Sequence, residues 1–220
     1  MITACGEEHH PGEVGSAHNE GTSHARVILF LGDSLTAGHG MDPEAAYPAL
    51  IQQRLDPARW RVVNAGVSGD TTAGGLRRID WLLSQRIDVA VIALGANDGL
   101  RGLPVEGTRA NLEQIIAKIR AASRDAIVVL AGMKVPPNMG PDYARQFADL
   151  FPEIASAQHV PLIPFLLEGV AGDPALNQPD GIHPTPRGHE IIAATVWHTL
   201  APLLNDVSCG EGQRRLSLPT

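Results

Sequence analysis

Aromatic side chains are scarce in this chain, 4% of 220 residues against 44% hydrophobic. A core built from it must therefore be mostly Leu, Ile, Val and Ala, and little aromatic surface is left for stacking on sugars. Cysteine is scarcer still: Cys5 and Cys209 lie near opposite ends. The absence of a Cys-x-x-Cys pair excludes a zinc or redox motif of that kind, and nothing demands a disulfide between the two. No apolar run approaches the ~18 residues that span a bilayer. No basic start followed by an apolar stretch is visible at the N-terminus, so no signal peptide is read. The expectation is a soluble chain without integral membrane association, cytoplasmic or periplasmic. A net charge of −7 without a basic stripe argues against a nucleic-acid partner. No Gly-x-x-x-x-Gly-Lys-Ser/Thr run exists to cradle phosphate.

The acidity is uneven. Residues 1–25 hold Glu7, Glu8, Glu13 and Glu20 with no Lys or Arg, which leaves the remainder at −3. This stretch is rich in Gly, Glu, His, Ser and Asn and reads as a disordered polar tail. Its histidines, His9, His10, His18 and His24, could bind metal adventitiously, but their irregular spacing is not that expected of a specific site. Residues 206–220 read as a loose C-terminal tail. Between them, 26–205 is long enough for one domain with a sizeable core.

Within that domain apolar, partly β-branched runs at 26–31, 61–64, 87–94, 126–132 and 160–164 alternate with helix-patterned segments. The clearest helix is 105–122, where Leu112, Ile115, Ile116 and Ile119 share a face opposite Glu113, Lys118 and Arg120. Segments 44–55, 72–84, 143–158 and 186–204 are further candidates, the last opening near Pro186. Five strand–helix alternations imply an α/β fold: a three-layer α/β/α sandwich around a mostly parallel five-stranded sheet. Right-handed crossovers then bring every strand's C-terminal end to one rim.

The segments after the strands carry the chemistry. The first strand delivers Gly32-Asp33-Ser34-Leu35, the second Asn64-Ala65-Gly66, the third Gly95-Ala96-Asn97-Asp98, and the last Asp180-Gly181-Ile182-His183-Pro184. Turn chemistry explains any one of these. It explains less well why together they supply a hydroxyl, an amide, a carboxylate and an imidazole. Acyl transfer needs that set. Serine requires a base within hydrogen-bond reach, and imidazole titrates near neutrality. A carboxylate three residues before His183 can accept its Nδ1–H and leave Nε2 facing Ser34. The backbone N–H groups of Ser34 and Gly66 and the amide of Asn97 are candidate oxyanion donors. Glycine at 66 is expected to let the backbone approach a substrate.

These four blocks, in order, resemble those of the GDSL esterases and lipases, the SGNH hydrolase superfamily. The likeness runs through roughly 26–204. The stretches Val62–Thr72 and Gly95–Gly102 are similar to the bacterial subgroup of thioesterase I, arylesterase and lysophospholipase L1. The resemblance implies a flavodoxin-like sheet, a Ser34–His183–Asp180 triad, an oxyanion hole of Ser34, Gly66 and Asn97, and neither metal nor cofactor. Members of that subgroup often carry an export signal where this chain has its polar tail, so the compartment is left open.

Other candidates fare worse. Gly66-Val67-Ser68-Gly69 is not a Gly-x-Ser-x-Gly elbow, so Ser68 is read as a turn or supporting hydroxyl. Asp33 and Asp98 are read as acceptors for backbone N–H groups in tight turns, and Asp70 as ordering the loop behind Gly66. Asp180, His183 and His189 match no zinc spacing. His39 and His159 are read as ordinary surface or loop residues. Leu100, Leu103, Val105, Pro136, Pro137 and Met139 are expected to wall an apolar acyl pocket. The expected substrate is a small acyl ester of short to medium chain, with acyl-CoA thioesters and lysophospholipids as alternatives. A carbohydrate O-deacetylase and a non-catalytic binding domain are further alternatives. Oligomeric state and natural substrate are not legible.

Overall fold

The computed structural model describes residues 25–214, with side chains described as far as 205. The N-terminal histidines and both cysteines lie outside the described side chains. Five strands form one sheet: β1 (Arg26–Gly32), β2 (Trp60–Gly66), β3 (Val89–Ala93), β4 (Ile127–Ala131) and β5 (Leu162–Ile163). All pairings are parallel and the order is β2-β1-β3-β4-β5, the flavodoxin-like arrangement.

The central strands follow from composition. Val27 to Leu31 and Val89 to Ala93 are continuous apolar runs, and every residue in them is buried, as strands covered on both faces require. β2, at the edge, is buried only at Trp60 and Ala65, its other residues being half-buried or exposed. Register places Gly32 beside Gly66 on one side and Ala93 on the other, so three strand ends lie level at one rim.

Helices cover both faces. α1 (Ser34–Ala37), α2 (Tyr47–Gln52), α3 (Thr72–Leu82), α4 (Ala96–Leu100), α5 (Val105–Ala122), α6 (Pro141–Gln158) and α7 (Pro186–Arg214) follow in chain order. α3, α5 and α6 pack in sequence, and α2 packs against α7. The stripe expected on α5 is buried at Leu112, Ile115, Ile116 and Ile119. Phe30, Tyr47, Trp60, Phe147 and Phe151 are buried, while Trp81 stands exposed on α3; Phe30 meets Tyr47 edge-on at 5.5 Å, and Phe147 meets Phe151 at 5.6 Å.

Two expectations are corrected. The helix expected over 44–55 is a 3₁₀ turn at Pro43–Ala45 followed by α2 from Tyr47. Pro48 has no N–H to donate, so it is accommodated in the first turn of a helix and not inside one begun at 44. The second concerns 206–220: the last helix runs on to Arg214, through the first part of the expected tail. No helix among the described residues is long and apolar enough to cross a membrane.

Candidate active site

α1 is four residues long and follows β1 directly. Asp33 caps it, accepting the Leu35 N–H at 2.9 Å, and Gly38 closes it at φ 75°. The cap holds Ser34 in the first turn, where helix N–H groups have no intrahelical partner. Ser34 keeps 9% of its surface exposed. Its Oγ lies 3.0 Å from His183 Nε2. His183 Nδ1 lies 2.7 Å from Asp180 Oδ2. A carboxylate only accepts, so Nδ1 carries the imidazole proton and Nε2 is left to accept from Ser34.

Asp180 Oδ1 accepts two further bonds, from His183 N–H at 3.0 Å and Ile182 N–H at 2.9 Å. The His183 backbone N–H, then its ring, then the Ile182 N–H hold the Asp180 carboxyl well below the usual carboxylate range. The acid is thus ionised through the neutral range, although its side chain is 43% exposed.

Asn97 sits in α4, which Gly95 opens at φ 117°, a conformation that favours glycine. Asn97 Nδ2 donates to Asp70 O at 3.0 Å and approaches Asp33 Oδ2 at 3.4 Å. Asp33 is fully buried. Burial pushes its carboxyl up to about 6, against the lowering effect of the Leu35 N–H and the Asn97 amide. The Gly66 N–H donates to Asn64 Oδ1 at 3.0 Å, and Asn64 Nδ2 donates to Thr36 O at 2.9 Å. Two of the three expected oxyanion donors are therefore engaged within the protein. The expected reason for glycine at 66 is also corrected. A Cβ there would come 2.2 Å from Ala37 N, so the missing side chain lets α1 pack onto the end of β2.

The supporting acids act as expected. Asp98 accepts Thr72 N–H at 2.8 Å and Thr72 Oγ1–H at 2.6 Å. Asp70 accepts Arg78 Nε–H at 2.7 Å, and Arg78 also donates to Gly32 O. His159 is an exposed cap of α6. His39 is not an ordinary loop residue: its ring stands 4.4 Å from that of His183, and its Nδ1 faces Ser68 Oγ at 3.3 Å. His189 is a core residue, 1% exposed, accepting Tyr47 N–H at Nδ1.

A cleft of about 570 Å³ opens beside Ser34, Asn97 and His183. Of the expected wall, Leu100 and Pro136 line it; Leu103, Val105 and Met139 do not, and the Pro137 side chain is outside those described. The chain turns away at Gly102, φ 63°, after which Val105 packs into the core and Tyr143 Oη–H holds Leu103 O at 2.8 Å. Phe165, Leu167 and Ile182, from the excursion after β5, also line the cleft. Phe165-Leu166-Leu167 was the available signal, an apolar triplet directly after the last strand. Lys134 stands at the cleft with its Nζ 4.5 Å from the Phe165 ring.

A hydroxyl, an imidazole and an ionised carboxylate in line, beside an apolar cleft at the rim of a parallel sheet, form the arrangement an acyl hydrolase requires. The chain belongs to the GDSL-like lipase/acylhydrolase family, whose model matches residues 30–191. It is 42% identical to esterase TesA of Pseudomonas aeruginosa, over 82% of this chain and 90% of that one. It is 40% identical to thioesterase 1/protease 1/lysophospholipase L1 of Escherichia coli K12, over 82% and 86%. A crystal structure of TesA superposes with a TM-score of 0.77 at 41% identity, covering 81% of this chain and 99% of that one. The psychrotrophic esterase EstA from Pseudoalteromonas, solved inhibited by monoethylphosphonate, gives 0.76 at 36% identity, covering 82% and 99%.

Proposed function

We propose that this chain is a serine esterase that cleaves short- to medium-chain carboxylic esters through an acyl-enzyme on Ser34. The observation that carries the reading is the continuous line from Ser34 Oγ through His183 to Asp180, at 3.0 and 2.7 Å. Ser34 Oγ attacks the acyl carbonyl while Nε2 takes its proton. Asp180 balances the imidazolium charge. The Ser34 N–H meets the developing oxyanion first, and the Asn97 amide and the Gly66 N–H join it when they leave Asp70 O and Asn64 Oδ1. His183 then protonates the departing alcohol, and water repeats the sequence on the acyl-enzyme. The family and the esterase and arylesterase names of its relatives support the same class of reaction.

The cleft volume lies within the range of small-ligand sites, and its apolar walls suit an acyl chain or aryl ring. The Escherichia coli relative's name supports thioesters and lysophospholipids as a second substrate class. The test is a rate series over p-nitrophenyl esters of increasing chain length, run beside an acyl-CoA and a lysophospholipid. Wild type hydrolyses the shorter esters, and Ser34→Ala, still folded, does not. A folded Ser34→Ala that retained turnover would overturn the assignment. A fluorophosphonate that left wild-type Ser34 unmodified would favour the binding-domain reading.

A further inference from the structure

One residue outside the Ser34–His183–Asp180 line joins the two loops that carry it. Gln178 stands two residues before Asp180. Its backbone N–H donates to His183 O at 2.7 Å. Its side-chain Nε2 donates to His39 O at 2.8 Å and to Pro184 O at 3.1 Å. His39 in turn donates its backbone N–H to Ser34 O at 3.1 Å. Gln178 thus reaches from the carbonyl of the base to within one hydrogen bond of the nucleophile's own peptide.

The rest of the base loop is held by itself. Asn177 Nδ2 donates to Val170 O and Asp173 O, and Thr185 N–H donates to Leu176 O. Those bonds fix the loop's shape but not its distance from Ser34. Among the described residues, the hydrogen bonds joining 34–42 to 170–185 are the Gln178–His39 bond and the Ser34–His183 contact. The nucleophile side is shaped to receive the amide. Gly40 has φ 75°, and a Cβ there would come 2.7 Å from Gln178 Oε1. The His39 ring, on the same turn, rests against the His183 ring.

We propose that Gln178 is a positioning residue: it latches the base loop to the nucleophile turn at the separation that lets His183 Nε2 meet Ser34 Oγ. The proposal rests on the roles given above to Ser34 and His183. Gln178 touches no reacting atom, so its effect falls on kcat. Displacements of about 1 Å at such a contact cost up to ~100-fold.

The experiment compares Gln178→Ala, Gln178→Met and Gln178→Glu with wild type on a p-nitrophenyl ester, kcat being expressed per Ser34 titrated to completion with a fluorophosphonate. Met keeps the length of the side chain without its donors; Glu keeps the shape but presents a carboxylate to two carbonyl oxygens. All three should lose roughly 10- to 100-fold in kcat with KM within about twofold, Glu losing most, and should label Ser34 more slowly to the same endpoint. Wild-type kcat in Gln178→Met, or a loss confined to KM or to the titratable fraction, would overturn the latch. Ser34→Ala runs alongside: if it is inactive while the Gln178 variants match wild type, the latch alone fails; if it remains active, the nucleophile assignment fails.

Discussion

His189 gives the sharpest quantitative prediction, because it is a titratable group buried in the core. Its Nδ1 accepts the Tyr47 N–H at 3.1 Å, and the two rings lie nearly parallel with centroids 6.2 Å apart. Tyr47 Oη is 2.8 Å from Thr36 Oγ1, within the helix that carries Ser34. Burial drives the His189 imidazole down from 6.5 to about 4. The unfolded chain therefore takes up this proton before the folded one does. The stabilising contribution is complete above pH 6.5 and is lost as pH falls toward 4. A gap of that size corresponds to about 3 kcal/mol in full, of which about 2 kcal/mol is lost between pH 7 and pH 5. For a domain of this size that is a fall in Tm of about 4–8 °C.

Asp33 acts in the opposite sense. Its carboxyl is raised to about 6, so its protonation favours the fold below the unfolded value and that contribution is lost as pH rises through 6. The wild-type curve contains both effects, and a single titration of wild type cannot separate them. His189→Asn does, since it keeps an acceptor near the position of Nδ1, removes the titration and leaves Asp33 in place. Urea unfolding of both proteins at pH 7 and pH 5 should show wild type losing about 2 kcal/mol more than the variant. Parallel pH dependences would refute the claim that the fold holds His189 neutral.

Further outcomes follow from the site. Asn97→Ala should lower kcat by roughly 10²–10³; an unchanged kcat would remove the amide from the oxyanion site. Gly66→Ala forces a methyl against the backbone of α1 and should cost about 1–3 kcal/mol in urea unfolding, together with ester turnover. Phe165→Ala hollows one wall of the cleft and should move the optimum of a p-nitrophenyl ester series toward longer acyl chains. An unshifted optimum would show that the chain does not run along that wall.

The strand ends were legible because buried parallel strands are written as uninterrupted apolar runs, Val27–Leu31 and Val89–Ala93 above all. The groups after them stood out because a hydroxyl, an amide, a carboxylate and an imidazole lay on segments that one topology brings together. What escaped was set by tertiary neighbours. Nothing local to His39 says that its ring meets His183, because the two are brought together only when the last loop folds back on the first. The need for glycine at 66 came from α1, a helix too short to carry a period. Half of the expected cleft was misjudged for a similar reason. Leu100 and Val105 are close in sequence, but the turn at Gly102 sends one to the cleft and the other to the core.

The parallel sheet also fixes how the molecule can be held. Ser34 follows the C-terminal end of β1, while Arg26 begins that strand at the opposite end of the sheet, the strand's seven residues spanning roughly 20 Å. α7 leaves the rim after His183 and runs back alongside α2, away from the cleft. Both ends of the folded domain thus depart from the side remote from Ser34. A bead, a fusion partner or a surface joined through either end would leave the cleft presented outward to incoming substrate.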